Sequence, residues 1–209
     1  MLIRMMCLVV LLGCSMSGVA KADYVYSLSF TADGSSVGSF SGLEGASLSI
    51  AVYLVETGSK GLGPDGLADG LGLANSSFDF SSGTSTLTSF SNSLSVLDAS
   101  VDGSYQIVAN GFPPGVTGTP FGGGQSVQIG NLNLTLGPVG SSSIALAVST
   151  NLFVPDTYTL TSDIGLPVNG LAGSFASSTL NVTAVPEPSS VALLSLTGCG
   201  LALRRKRKD

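Results

Sequence analysis

SVQIGNLNLTL, residues 126–136, is the stretch whose reading decides the fold. Val127 and Ile129 share one parity, and Leu132, Leu134 and Leu136 share the other. A strand sends successive side chains to opposite faces, so an unbroken strand would divide these five residues between core and solvent. One extra residue where the parity changes returns all five to one face. The pattern therefore predicts a long strand with a β-bulge near Gly130.

The period of two extends outward from this stretch. Tyr24, Tyr26, Leu28 and Phe30 alternate with smaller or polar residues. Leu48, Ile50, Val52 and Leu54 do so again, and Ala51, Tyr53 and Val55 fill the other face, as expected of a central strand. Further strands are expected at Phe78 and Phe80, at 87–90, 94–97 and 105–109, at Ile144, Leu146 and Val148, at Tyr158 and Leu160, and at Leu180 and Val182. Turn signals separate them: Ala32-Asp33-Gly34, Gly63-Pro64-Asp65-Gly66, Asp102-Gly103, Phe112-Pro113-Pro114-Gly115 and Phe121-Gly122-Gly123-Gly124. With no amphipathic helix, the expected fold is all-β, an antiparallel β-sandwich of about eight to ten short strands. The low complexity of residues 34–45 and 81–93 would suit disorder, but alternating Phe, Leu and Ile elsewhere indicate a packed core.

Charge is segregated. Of eight Lys and Arg, Arg4 and Lys21 lie near the N-terminus and Arg204, Arg205, Lys206, Arg207 and Lys208 near the C-terminus. Between residues 23 and 184 only Lys60 stands against eleven Asp and Glu, a net charge of −10. Such a surface repels phosphate backbones, which sets nucleic acid aside as a partner. The three cysteines, Cys7, Cys14 and Cys199, all fall in apolar terminal segments, so the central region forms no disulfide and must be held by its core.

The N-terminus has the plan of a secretory signal peptide over residues 1–22. Arg4 precedes the apolar run 5–13, and Ala20-Lys21-Ala22 is a small-x-small cleavage site that leaves Asp23 first. Leu11-Leu12-Gly13-Cys14 also has the form of a lipobox, with Cys14 as the lipidated residue; cleavage before Asp23 is the reading favoured here. The C-terminus has three parts in fixed order: Pro186-Glu187-Pro188, the apolar run 191–203, and the basic cluster Arg204, Arg205, Lys206, Arg207 and Lys208. The prolines end whatever structure precedes them. The apolar run reads as a short transmembrane helix, with the cations kept on the cytoplasmic side. Thirteen residues make a helix of about 20 Å against a hydrocarbon core of about 30 Å, a span better suited to a transient segment than to a lasting anchor.

This order resembles the PEP-CTERM sorting signal of exported bacterial proteins. The resemblance implies the Sec export machinery and an exosortase as partners, a transient stay in the inner membrane, cleavage near Pro186, Glu187 and Pro188, and delivery to the cell surface, outer envelope or extracellular matrix. The domain plan is then a signal peptide over 1–22, a sandwich over 23–184 and a sorting signal over 185–209. Residues 47–80 are similar to the opening of cohesin-like sandwich domains, with Tyr53-Leu54-Val55-Glu56-Thr57 leading to an Asp65-Gly66-Leu67 turn and the strand at Phe78. Residues 126–136 match a later strand of that pattern, which implies a nine-stranded jelly-roll-like sandwich.

The residues for catalysis are sparse. There is no His, and no Cys outside the terminal segments, so zinc sites and the common nucleophile–base pairs have no members. Lys60 beside Ser59 reads as a solvated loop residue, and the Asp residues mostly stand next to Gly, where they form turns. The expectation is a non-enzyme: a surface or matrix protein associated with biofilm exopolysaccharide or with other surface proteins. The alternative is a carbohydrate- or protein-binding module at the cell envelope. For that alternative, Asp65 and Asp69 in Pro64-Asp65-Gly66-Leu67-Ala68-Asp69-Gly70 are candidate calcium ligands, the competing reading being two turn-forming residues. Three Asn-x-Ser/Thr sequons, at Asn75, Asn133 and Asn181, are taken as chance matches.

Overall fold

The structure is a computed structural model that describes residues 24–58, 65–94, 100–101 and 105–185. Two sheets face each other. The first contains β1 (Val25–Ser29), β3 (Ser47–Thr57), β5 (Thr86–Asn92), β9 (Thr119–Phe121), β10 (Gly124–Thr135) and β14 (Ser174–Phe175). Its order is β14-β1-β3-β10-β5, with β9 also beside β10. The second contains β2 (Ser39–Leu43), β4 (Gly72–Ser81), β6 (Ser100–Val101), β7 (Gln106–Asn110), β8 (Val116–Thr117), β11 (Gly140–Val148), β12 (Tyr158–Thr161), β13 (Pro167–Gly170) and β15 (Ser177–Thr183). Its main path is β13-β12-β4-β11-β15-β2.

The bulge is where the parity change places it. Gln128 lies opposite Tyr53 and Gly130 opposite Val52, so Ile129 is the extra residue of β10. As a result Val127, Ile129, Leu132, Leu134 and Leu136 are all buried. β3 runs between β1 and β10 as the central strand, with Ile50, Val52 and Leu54 buried on one face and Val55 on the other. From the opposite sheet Leu73, Phe78, Ile107, Ile144, Leu160 and Leu180 close the core, each fully buried. Each such side chain contributes about 2 kcal/mol on removal from water.

Three details differ from the simple sandwich. The described residues form fifteen strand segments, in part because the neighbours of β4 are interrupted: β11 pairs with residues 78–81 and β12 with 72–76 along one side, while β7 and β8 share the other. The sheets are not purely antiparallel, since β1 pairs β14 and β2 pairs β15 in parallel. The connections from β1 to β2 and from β14 to β15 thus cross between the sheets side by side. Ala176 marks the crossing, donating its N–H to Leu28 O at 2.9 Å in one sheet and accepting from Leu146 N at 2.9 Å in the other. Lastly, Leu94 is buried outside any strand. The Asn92 side chain accepts from Leu94 N at 3.0 Å and donates to Asn110 O at 2.7 Å, and residues 95–97 of the strand expected at 94–97 lie outside the described residues. Val148, at the last position of β11, is 43% exposed, so the inward set of that strand stops at Leu146.

Candidate functional site

The inward parity of β3 does not stop at Leu54. Glu56 continues it and is 1% exposed at the end of the strand. Its register partner on β1 is Tyr26, whose hydroxyl donates to Glu56 Oε2 at 2.6 Å. The backbone N–H groups of Leu67 and Ala68 donate to Oε2 and Oε1 at 2.6 and 2.9 Å. These amides open a single 3-10 turn, Leu67–Asp69, and have no partner within it, so the carboxylate fills the role of a cap. Gly66 makes the approach possible, because a Cβ there would lie 2.3 Å from Glu56 Oε2 and 2.6 Å from the Tyr24 ring. Leu67 and Leu71 anchor the loop in the core.

Among the described residues the buried carboxylate is met by three hydrogen-bond donors and by no Lys or Arg. The Tyr26 ring packs on Tyr158 with centroids 4.2 Å apart. Burial, then the hydrogen bond to Glu56 and its charge, push the Tyr26 phenol up. Burial, then the charges of Glu56 and Asp156, push Tyr158 up as well. Both phenols are held towards their protonated form and Glu56 is sealed under the loop, so the cluster fastens the loop to the end of β3. In the sequence Glu56 enters only as a member of the motif Tyr53-Leu54-Val55-Glu56-Thr57, with no role assigned to its carboxylate. The signal that finds it is its place in the even-numbered series Ile50, Val52, Leu54.

The candidate calcium ligands lie on this fastened loop. Asp65 is exposed just before the 3-10 turn. Asp69 ends the turn and accepts from the Tyr24 hydroxyl at 2.9 Å. Among the described residues no group of three or more His, Cys, Asp or Glu side chains stands together. The nearby Glu56 carboxylate is taken up by the loop amides and the Tyr26 hydroxyl.

A second polar constellation covers the outer face of the first sheet. Asn133 on β10 lies between its register partners Ser49 of β3 and Ser89 of β5. It accepts from Ser49 Oγ at 2.9 Å and donates to Ser89 and Ser91 Oγ at 3.1 and 3.0 Å. Gln128 donates to Asn131 at 3.2 Å on the same strand. Among the described residues, the outward side chains of β3, β5 and β10 offer hydroxyls, carboxamides and the half-buried Tyr53, and none of them is charged. Of the sequons, Asn133 lies in this network and Asn75 accepts from Gly111 N at 3.2 Å, each inside a strand.

The cleavage residues Ala20, Ala22 and Asp23, the motif Pro186, Glu187 and Pro188, the apolar run 191–203 and the basic cluster 204–208 lie outside the described residues. Among the described residues no helix is long and apolar enough to cross a membrane.

Among solved structures, CaCohA2 from Clostridium acetobutylicum is similar, with 12% identity and a TM-score of 0.41 over 76% of this chain and 91% of that one. A chain of a type I cohesin–dockerin complex from Clostridium thermocellum has 8% identity and a TM-score of 0.41 over 76% and 99%. The cohesin module of a Clostridium perfringens family 33 glycoside hydrolase has 9% identity and a TM-score of 0.40 over 78% and 100%. No curated protein matches the chain. Its C-terminus does match a family, the PEP-CTERM protein-sorting motif, over residues 184–208; the chain carries that motif and is thereby an exported protein, processed by an exosortase at the membrane.

Proposed function

We propose that this chain is a non-catalytic protein of the cell surface or extracellular matrix, whose sandwich supplies bulk, adhesion or contacts to exopolysaccharide and surface proteins. The observation that carries the reading is the sorting motif at residues 184–208, which directs the whole sandwich out of the cell. The described carboxylates support it: Glu56 is committed to three donors in the core, and Asp69 is hydrogen-bonded to Tyr24. The route begins at the signal peptide, passes through the Sec machinery, and pauses in the inner membrane until the tail is cut near Pro186-Glu187-Pro188. Mass spectrometry of the mature protein tests this route. A C-terminus near residue 187 and an N-terminus at Asp23 are expected, and an intact end at Asp209 would refute the processing.

A second reading, a carbohydrate-binding module, draws on the uncharged outer face around Asn133. Hydroxyl and carboxamide groups pair with neutral sugars without a charge to desolvate. Retardation of the protein on immobilised exopolysaccharide, abolished by Asn133→Ala with Tyr53→Ala, would favour this reading over the first.

A further inference from the structure

The strand that precedes the sorting motif is the best-tied end of the second sheet. β15 lies between β11 and β2, with Val182 opposite Gly140 and Thr183 opposite Leu43. Thr183 O accepts from Glu44 N at 2.9 Å, and Leu136 O accepts from Gly45 N at 3.1 Å. The fold is therefore fixed to within two residues of Val185. Five residues, 186–190, then separate Val185 from the apolar run at 191–203. Fully extended they reach about 17 Å, and two prolines leave little slack. Strand β10 alone, at twelve residues, is about 40 Å long. A sandwich on so short a tether meets the bilayer with the end from which β15 emerges.

That end has the chemistry of a headgroup contact. Leu43, Val139 and Val185 are 42%, 54% and 53% exposed there, grouped around Thr183 by the register just given. Of the described carboxylates Glu44 lies at this end. Glu56, Asp65 and Asp69 lie towards the opposite end of β3, Asp33 is in the turn after β1 whose Gly34 packs beside Val55, and Asp79, Asp156 and Asp163 are on the far half of the second sheet. Residues 23–184, with a net charge of −10, thus turn an end with one described carboxylate, Glu44, towards a surface that is itself anionic. The more exposed Leu152 and Phe153 belong to the loop between β11 and β12, away from the tether.

We propose that, while the sorting tail is in the bilayer, this end of the sandwich rests on the phospholipid headgroups through Leu43, Val139 and Val185. The inference rests on the reading of the tail given above. The chain has no Trp, so one introduced Trp reports without background. The full-length chain is reconstituted in vesicles of phosphatidylethanolamine and phosphatidylglycerol, with brominated phosphatidylcholine as quencher. Val139→Trp, or Leu43→Trp should the first fold poorly, is expected to lose most of its emission. Phe121→Trp, in the hairpin at the opposite end, is expected to keep it. If the protein floats with the vesicles while Trp at 139 and 43 behaves like Trp at 121, the contact is overturned and the inserted tail stands. If emission shifts to the blue without quenching, another copy of the chain covers this end and the proposal fails. If the protein does not float, the tail reading itself falls, and this proposal with it.

Discussion

Glu56 shows how one buried charge organises its surroundings. Glu56→Gln keeps the shape but can no longer accept from Tyr26 and both loop amides, since one of its terminal atoms becomes a donor. A loss of about 2–3 kcal/mol in urea unfolding is expected. Tyr26→Phe removes one donor and is expected to cost about 1–2 kcal/mol at neutral pH. The phenols make a separate prediction. A group whose folded pKa lies above its unfolded value contributes stability that is complete below the unfolded pKa and is lost as pH rises. Tyr26 and Tyr158 are raised from 10.0, so stability should hold up to about pH 9 and decline beyond 10, with a shallower decline in Tyr26→Phe. Unfolding midpoints across that range check the sign. Asp65→Ala with Asp69→Ala is expected to shift the melting temperature little, with calcium or without. A calcium-dependent rise lost in the double variant would instead establish the loop as a metal site. The sequence holds the signal for Glu56 in its parity. Its partners are not visible there, because Leu67 and Ala68 reach it only when the loop folds back over the end of β3.

At the scale of elements, β10 is the strand that the chain could least do without. Its bulge lets two runs of opposite parity serve one core, and Gly130 sits where that geometry is tightest. A Cβ at Gly130 would stand 2.3 Å from Ser91 O and 2.4 Å from the Phe90 ring. Gly130→Ala is therefore expected to destabilise by about 1–3 kcal/mol, because the neighbour that must give way on one side is backbone. Denaturant unfolding measures it directly. The bulge was legible because the hydrophobic pattern alone requires it. The splitting of the strands beside β4 was not, since short apolar runs with Pro and Gly between them do not state whether they share a partner. Nor was the parallel pairing of β1 with β14 and β2 with β15, which joins residues far apart in the chain.

Across the whole molecule, the C-terminal strand is both a structural closure and the foot of an address. Ala176 ties the two sheets, and β15 fills the place between β11 and β2. Ending the chain at residue 176 is expected to abolish cooperative thermal unfolding followed by circular dichroism, whereas ending it after Val185 is expected to leave the transition intact. Removal of the sorting tail and integrity of the sandwich are thus separated by two residues, at Ala184 and Val185. What the sequence by itself determined is what depends on local order along the chain: the period of two, the bulge, the segregation of charge, and a sorting motif whose three parts are contiguous. What only the tertiary structure decided is what depends on residues meeting across the fold. The sealed Glu56 cluster, the uncharged face around Asn133 and the apolar, weakly acidic end beside the tail each bring together distant segments. Pairing of that kind is fixed by the packing of two sheets and not by any single stretch.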